Sequence, residues 1–182
     1  MIFFNSYTSS NLKKKDLVDS FYEKIILVSR QKLFYTKLKI PDTIDGRFDL
    51  LVLFSIFLTF FLSRSGEKGK ELSQILFDKI FLDLDLTLRE MGAGDTGVHI
   101  KIKKMINSYM GRQKAYIKCL EQKDFLNLKL HIINNIYRNV DVNGSLPELL
   151  TNYCQLCFEV LDKIPEDSLL KNEFLIPEYN KK

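Results

Sequence analysis

The 182-residue chain is 46% hydrophobic and 27% charged, with a net charge of +4, 14 Phe and no Trp. That length favours one substantial domain over two, and the composition excludes wholesale disorder. Three cysteines exclude a disulfide framework, the N-terminus lacks the order of a secretory signal, and so small a charge excess does not by itself establish a nucleic-acid or membrane partner. A reducing cytoplasm is the expected setting.

The first helix is expected from about Leu12 to Leu33, where Val18, Phe21, Tyr22, Ile25 and Ile26 recur at helical spacing. Pro41, Asp42 and Thr43 then mark a turn. From Ile44 the chain enters its most hydrophobic run, with an uncharged centre of 13 residues from Leu50 to Leu62. Those residues cover about 20 Å of helix against a hydrocarbon core of about 30 Å, so the run reads as the central, wholly apolar helix of a bundle. Ser63 to Lys70, with its two glycines Gly66 and Gly69, reads as a polar loop and Glu71 as the next helix start, with Leu76, Ile80, Leu84, Leu88 and Met91 on one face. Gly92 is placed to end that helix, and Asp95 or Thr96 to cap one that starts near Val98.

The helix from about Val98 to Gln122 is amphipathic. Val98, Ile102, Met105, Ile106, Tyr109, Met110, Tyr116, Ile117 and Leu120 share an arc, and Lys101, Lys103, Lys104, Arg112, Lys114 and Lys118 take the rest. Between Thr96 and Leu120 there is no acidic residue. Phe125 to Tyr137 follows as a helix packing through Leu126, Leu130, Ile133 and Tyr137, and Arg138 to Gly144 is a turn. Ser145 with Glu148 forms a capping-box signature for a last helix from Leu146 to about Lys163, which Pro165 ends. The tail to Lys182 reads as irregular, with Phe174, Leu175 and Ile176 as candidates to dock back. The expected fold is all α: a single compact helical bundle of about six helices over residues 1–182.

The chemistry-bearing residues point away from an active site. Asp83 and Asp85 suggest a divalent-metal pair, but residues two apart on a helix point about 200° away from each other. Asp85 and Arg89, four apart, share a face and suit an ion pair, and Asp78 aligns with Asp85 for a network with Arg47 or Arg89. Cys154 and Cys157 form a lone CxxC without the second pair a zinc site needs, and read as packing. His99 and His131 have no nucleophile set near them, and the Gly92, Gly94, Gly97 turn lacks the features of a phosphate loop. The basic helix is either a solvated face or a surface for phosphates of RNA, for anionic lipid or for an acidic protein. Without exposed aromatic interleaving, sequence-specific nucleic-acid recognition is not expected.

The segments IPDTIDGRFDLL, LFDKIFLDLDLTLREMGAGD and IKKMINSYMGRQKAY closely resemble the ubiquinol-cytochrome c chaperone family, assembly factors for respiratory complex III. The resemblance is strongest over residues 22–120. It rests on Pro41, Asp42, Thr43, Asp45, Gly46, Arg47, Phe48 and Asp49; on Leu88, Arg89, Glu90, Met91, Gly92, Gly94 and Asp95; and on Lys103, Lys104, Met105, Gly111, Arg112, Ala115 and Tyr116. The chain departs from the family pattern at Phe54, where His is frequent, and at Ala93 and Met110, where Val and Tyr are usual. Phe54 is therefore expected to pack rather than to ligate.

The resemblance implies a non-enzymatic chaperone, without cofactor or catalytic residues, that holds newly made cytochrome b before haem insertion and assembly. Mitochondrial relatives work beside the ribosome with a small partner protein. This chain resembles a bacterial member on the cytoplasmic side of the inner membrane, with the mitochondrial matrix as the eukaryotic equivalent. The implied client surface joins Asp42, Asp45, Arg47 and Asp49, then Asp85, Arg89, Glu90 and Asp95, then Lys103, Lys104, Arg112 and Tyr116. The basic helix could also meet a ribosome or an anionic membrane. The rival readings are a peripheral anionic-lipid-binding module and a magnesium-dependent enzyme using Asp83, Asp85 and Glu90.

Overall fold

The computed structural model describes the backbone over residues 3–138 and 145–179, with side chains from Leu12 onward. Among these residues there are eight helices and no strand: α1 (Phe3–Ser29), α2 (Lys32–Thr36), α3 (Ile44–Arg64), α4 (Gly66–Glu90), α5 (Asp95–Gln122), α6 (Phe125–Asn135), α7 (Ser145–Leu161) and α8 (Glu166–Leu170). Six are long and two, α2 and α8, are single turns of five residues. The all-α bundle expected from periodicity is what the chain forms.

Helix α3 is its axis, packed against α1, α4 and α5. From Phe48 to Leu62 every residue is buried. Each large apolar side chain removed from water contributes about 1.5–3 kcal/mol, so this helix organises the hydrophobic term of the whole fold. The helix is 21 residues long and its most apolar stretch of 18 has a mean hydropathy of 1.7, long and apolar enough to cross a membrane, yet 89% of that stretch is buried inside the protein. The core reading therefore rests on burial; the length argument counted only the uncharged centre.

Phe54 lies at the heart of this core, stacked on Phe34 at 5.7 Å and edge-on to Tyr153 at 5.8 Å. Phe34 reaches it because α1 stops early. The helix expected to run to Leu33 ends at Ser29, whose carbonyl accepts from the Tyr35 hydroxyl at 2.8 Å, and α2 then turns Phe34 inward. The C-terminal tail closes the same cluster, with Tyr179 at 5.5 Å from Phe34 and Phe174 at 6.3 Å from Phe21. The tail is not wholly irregular, since Pro165 precedes α8, and of the three docking candidates Leu175 points outward.

Three other expectations need correction. Ser63 to Lys70 is no loop: a single break at Ser65 joins α3 directly to α4. Gly69 permits this, because a Cβ there would stand 1.8 Å from the Leu62 carbonyl oxygen. Its small size serves close helix approach, where the sequence reading took it for a loop signal. Helix α6 buries Leu128 and Ile132 while Leu126 and Leu130 are exposed, and Ile133 is half-buried. Several apolar faces were open to it, and contact with α5 and α7 chose this one. Helix α5 starts at Asp95 with Gly94 as its N-cap and no side-chain cap, because Asp95 is engaged by Arg89 instead. Most of the expected turn from Arg138 to Gly144 lies outside the described residues. Glu148, read as half of a capping box, reaches Lys129 on α6 at 3.2 Å.

Candidate functional site

The Pro41–Asp42–Thr43 turn is built to start α3. Thr43 caps it by accepting from the Gly46 amide at 3.2 Å, satisfying one of the first free N–H groups. A Cβ on Gly46 would lie 2.0 Å from the Pro41 carbonyl oxygen, so the turn folds flat against the helix only with glycine there. Arg47 then reaches back to Asp42 at 2.7 Å, and this hydrogen bond holds the Asp42 carboxyl below the usual carboxylate range. Two residues on, Asp49 is buried and holds two arginines, Arg112 at 2.7 Å and Arg138 at 2.9 Å. Arg138 also lies 3.7 Å from Asp45. This cluster ties the start of α3 to α5 and to the end of α6.

The second turn closes α4. The amides of Gly92 and Ala93 donate to the carbonyls of Arg89 and Leu88, the paired bonds that finish a helix at a glycine. Arg89 bonds Asp85 at 2.6 Å and also reaches Asp95 across the turn. The expected Asp85–Arg89 pair is therefore present. Asp78 does not join it, since it accepts from Gln74, and Arg47 is held by Asp42.

The starts of α3 and the end of α4 face each other across a cleft of about 210 Å³, which the end of α1 and Met105 of α5 complete. Ile44, Phe48 and Leu51 form one wall, Leu84, Leu88 and Met91 the other. Ile44 and Met91 stand at the mouth, 39% and 59% exposed. Arg30 and Arg47 give the rim a positive edge, and Asp83 lies deeper, accepting from the Tyr22 hydroxyl at 2.6 Å. Burial, reinforced by that carboxylate, pushes the Tyr22 hydroxyl well above its ordinary range, so it stays a proton donor. The volume falls below the roughly 300–1,000 Å³ of small-molecule sites and suits one or two apolar side chains of a polypeptide. The two methionines add a surface that repacks around varied shapes.

The residues expected to share a client surface divide into three groups. Of the twelve, Arg47 lines the cleft. Asp42, Asp45, Asp85, Arg89, Glu90 and Asp95 stand exposed or half-exposed on the two turns, and Lys103 and Lys104 are exposed on α5. Asp49, Arg112 and Tyr116 are internal: Arg112 is 13% exposed, and Tyr116 is buried with its hydroxyl accepting from Asn135 at 3.3 Å. They hold the frame and offer no surface. Tyr22, Arg30, Ile44, Met91 and Met105, which line the cleft, were not singled out for it, although Met91 and Met105 lie inside the recognised motifs. No spacing rule reveals them, because four separate helices supply the walls.

Asp83 and Asp85 point to different partners, Tyr22 and Arg89, and among the described residues no group of three or more His, Cys, Asp or Glu is placed to hold a metal ion. Cys154 and Cys157 are buried free thiols, and burial pushes Cys157 up to about 12. Both pack in the core.

The profile of the ubiquinol-cytochrome C chaperone family matches residues 36–176, a span that contains both turns, most of the cleft and the basic helix. No curated protein matches the chain. The crystal structure of the Cbp3 homolog from Brucella abortus is similar over 98% of both chains, with a TM-score of 0.85 at 26% identity. With its motifs at the two turns and its profile matched over most of its length, the chain belongs to the ubiquinol-cytochrome C chaperone family.

Proposed function

We propose that this protein is a non-enzymatic assembly chaperone of respiratory complex III that holds newly made cytochrome b, before haem insertion, at the cleft between α3 and α4. The observation that carries the reading is the meeting of two family motifs, DGRFD and REMG, at an apolar cleft whose mouth leaves Ile44 and Met91 in water. A newly made transmembrane segment offers apolar side chains for the walls, and acidic residues in its flanking loops would meet Arg30 and Arg47. Binding needs no bond made or broken. It requires apolar surface that is accessible yet too small to drive self-association. The reading places the protein at the cytoplasmic side of the inner membrane, where cytochrome b emerges.

Affinity capture of tagged protein from cells translating cytochrome b tests this, comparing wild type with Ile44→Asp and Met91→Asp after circular dichroism confirms their folding. Co-purification with the wild type and a loss of about tenfold or more in either variant is expected, the scale of one apolar side chain withdrawn from a contact. Equal yields in all three would overturn the cleft assignment. Absence of cytochrome b from the wild-type eluate would overturn the client.

A further inference from the structure

The outer face of α5 is not used by the cleft. At 100° per residue Ile100, Lys103, Lys104, Met110, Lys114 and Lys118 share one arc, a ridge of about 27 Å. Among the described residues none of these lysines makes an ion pair, and the run ends only at Glu121. Along its C-terminal half the ridge borders an open groove of about 440 Å³ between α5 and α6, with Lys114 and Lys118 on one lip and Asn127 and His131 on the other. Asp124, at one end, is occupied by Asn127, which donates to it from its backbone amide at 3.0 Å. One position round α6 from that far lip stand Leu126 and Leu130, 80% and 55% exposed. Ile100 and Met110 are likewise about half exposed on the ridge itself.

We propose that this α5–α6 face binds the surface of an anionic lipid bilayer, independently of the client cleft. The lysines meet lipid phosphates, the groove takes a headgroup, and Leu126 and Leu130 enter the boundary between headgroups and acyl chains. Two features favour a membrane over RNA. Large aliphatic side chains stand beside the cations, where they would gain from leaving water. The cations are all lysines, and among the described residues no exposed Phe, Tyr or Trp accompanies them for base stacking; only the imidazoles of His99 and His131 lie near them. A bilayer asks only for charge density and apolar reach, which this face provides.

Flotation of the full chain with vesicles of phosphatidylcholine containing about 30% phosphatidylglycerol tests the proposal, with pure phosphatidylcholine vesicles as reference. Two variants are compared after their folding is checked: Lys103→Gln/Lys104→Gln/Lys114→Gln/Lys118→Gln, and Leu126→Ser/Leu130→Ser. At about fivefold per lysine near the surface, the first variant is expected to lose about a hundredfold or more in binding, and raising salt from about 0.1 M to about 1 M should release the wild type. The leucine variant should bind anionic vesicles more weakly while its binding to heparin, a polyanion without an apolar layer, stays unchanged. Equal binding to both vesicle types, or undiminished binding by the lysine variant, would overturn the proposal. Binding to single-stranded RNA that depends on the lysines, with no vesicle binding, would overturn it in favour of a nucleic-acid surface.

Discussion

Asp49 and Asp85 each hold an arginine within bonding distance, but the two pairs sit in different solvents. The Asp49 side chain is 1% exposed and its Arg112 partner 13%, while Asp85 is 29% and Arg89 44% exposed. In water the attraction of such a pair is screened, offset by the entropy of holding long side chains, and contributes about 0–1 kcal/mol. Inside the protein the attraction is stronger, desolvation has already been spent, and removing one member strands the other. The family motifs therefore carry two kinds of arginine: Arg112 holds helices together, and Arg89 trims a turn.

The largest break in this contrast is Asp49→Ala, which leaves Arg112 and Arg138 without their shared carboxylate. Urea denaturation should show a loss of about 3–5 kcal/mol. A loss below about 1 kcal/mol would mean that water reaches the cluster in solution. Arg112→Ala should cost nearly as much, and Arg138→Ala less, since Arg138 is half exposed. In a double-mutant cycle, Asp49→Ala combined with Arg112→Ala should cost clearly less than the two single changes added together.

Tyr116, buried beside this cluster, sharpens the comparison through pH. Burial pushes its hydroxyl up to about 12 in the folded protein from an ordinary value near 10. Between those values the unfolded chain has lost the proton that the folded one keeps, so stability is intact below about pH 10 and falls as pH rises toward about 12. Burial also raises Tyr109, Tyr137 and Tyr153, which steepens the decline. Chemical denaturation at stepped alkaline pH should follow that direction, and Tyr116→Phe should flatten it.

The smallest effect belongs to the exposed pair. Arg89→Ala should change stability by less than about 1 kcal/mol, and the difference should vanish in about 1 M salt. A loss as large as that of Asp49→Ala would show that the turn at Gly92 is a structural keystone, and the contrast between the clusters would collapse.

The same division explains what could be read in advance. Glycine after an apolar stripe ended α4 at the expected place, and Pro41 with Thr43 marked the start of α3, because these signals act through backbone sterics and local hydrogen bonds. The Asp85–Arg89 pair was legible for the same reason, its two members lying one helical turn apart. Gly69 misled, since a small residue permits either a loop or a close helix crossing. The cleft was half legible: two motifs named its walls, but Tyr22, Arg30 and Met105 come from elements that the chain brings in from far away.

The sequence by itself determined the six long helices, most of their ends, the apolar identity of α3 and the lysine run of α5, all of which depend on residues within a few turns of one another, while the single turns α2 and α8 were not legible in it. Only the tertiary structure decided that Arg112 faces inward while Lys103 and Lys104 face out, that α6 buries Leu128 and leaves Leu126 in water, and that the two motifs meet across a cleft. Periodicity describes the faces a helix possesses. Which face loses its water depends on the neighbouring helices, and with it the energy of every charge placed there.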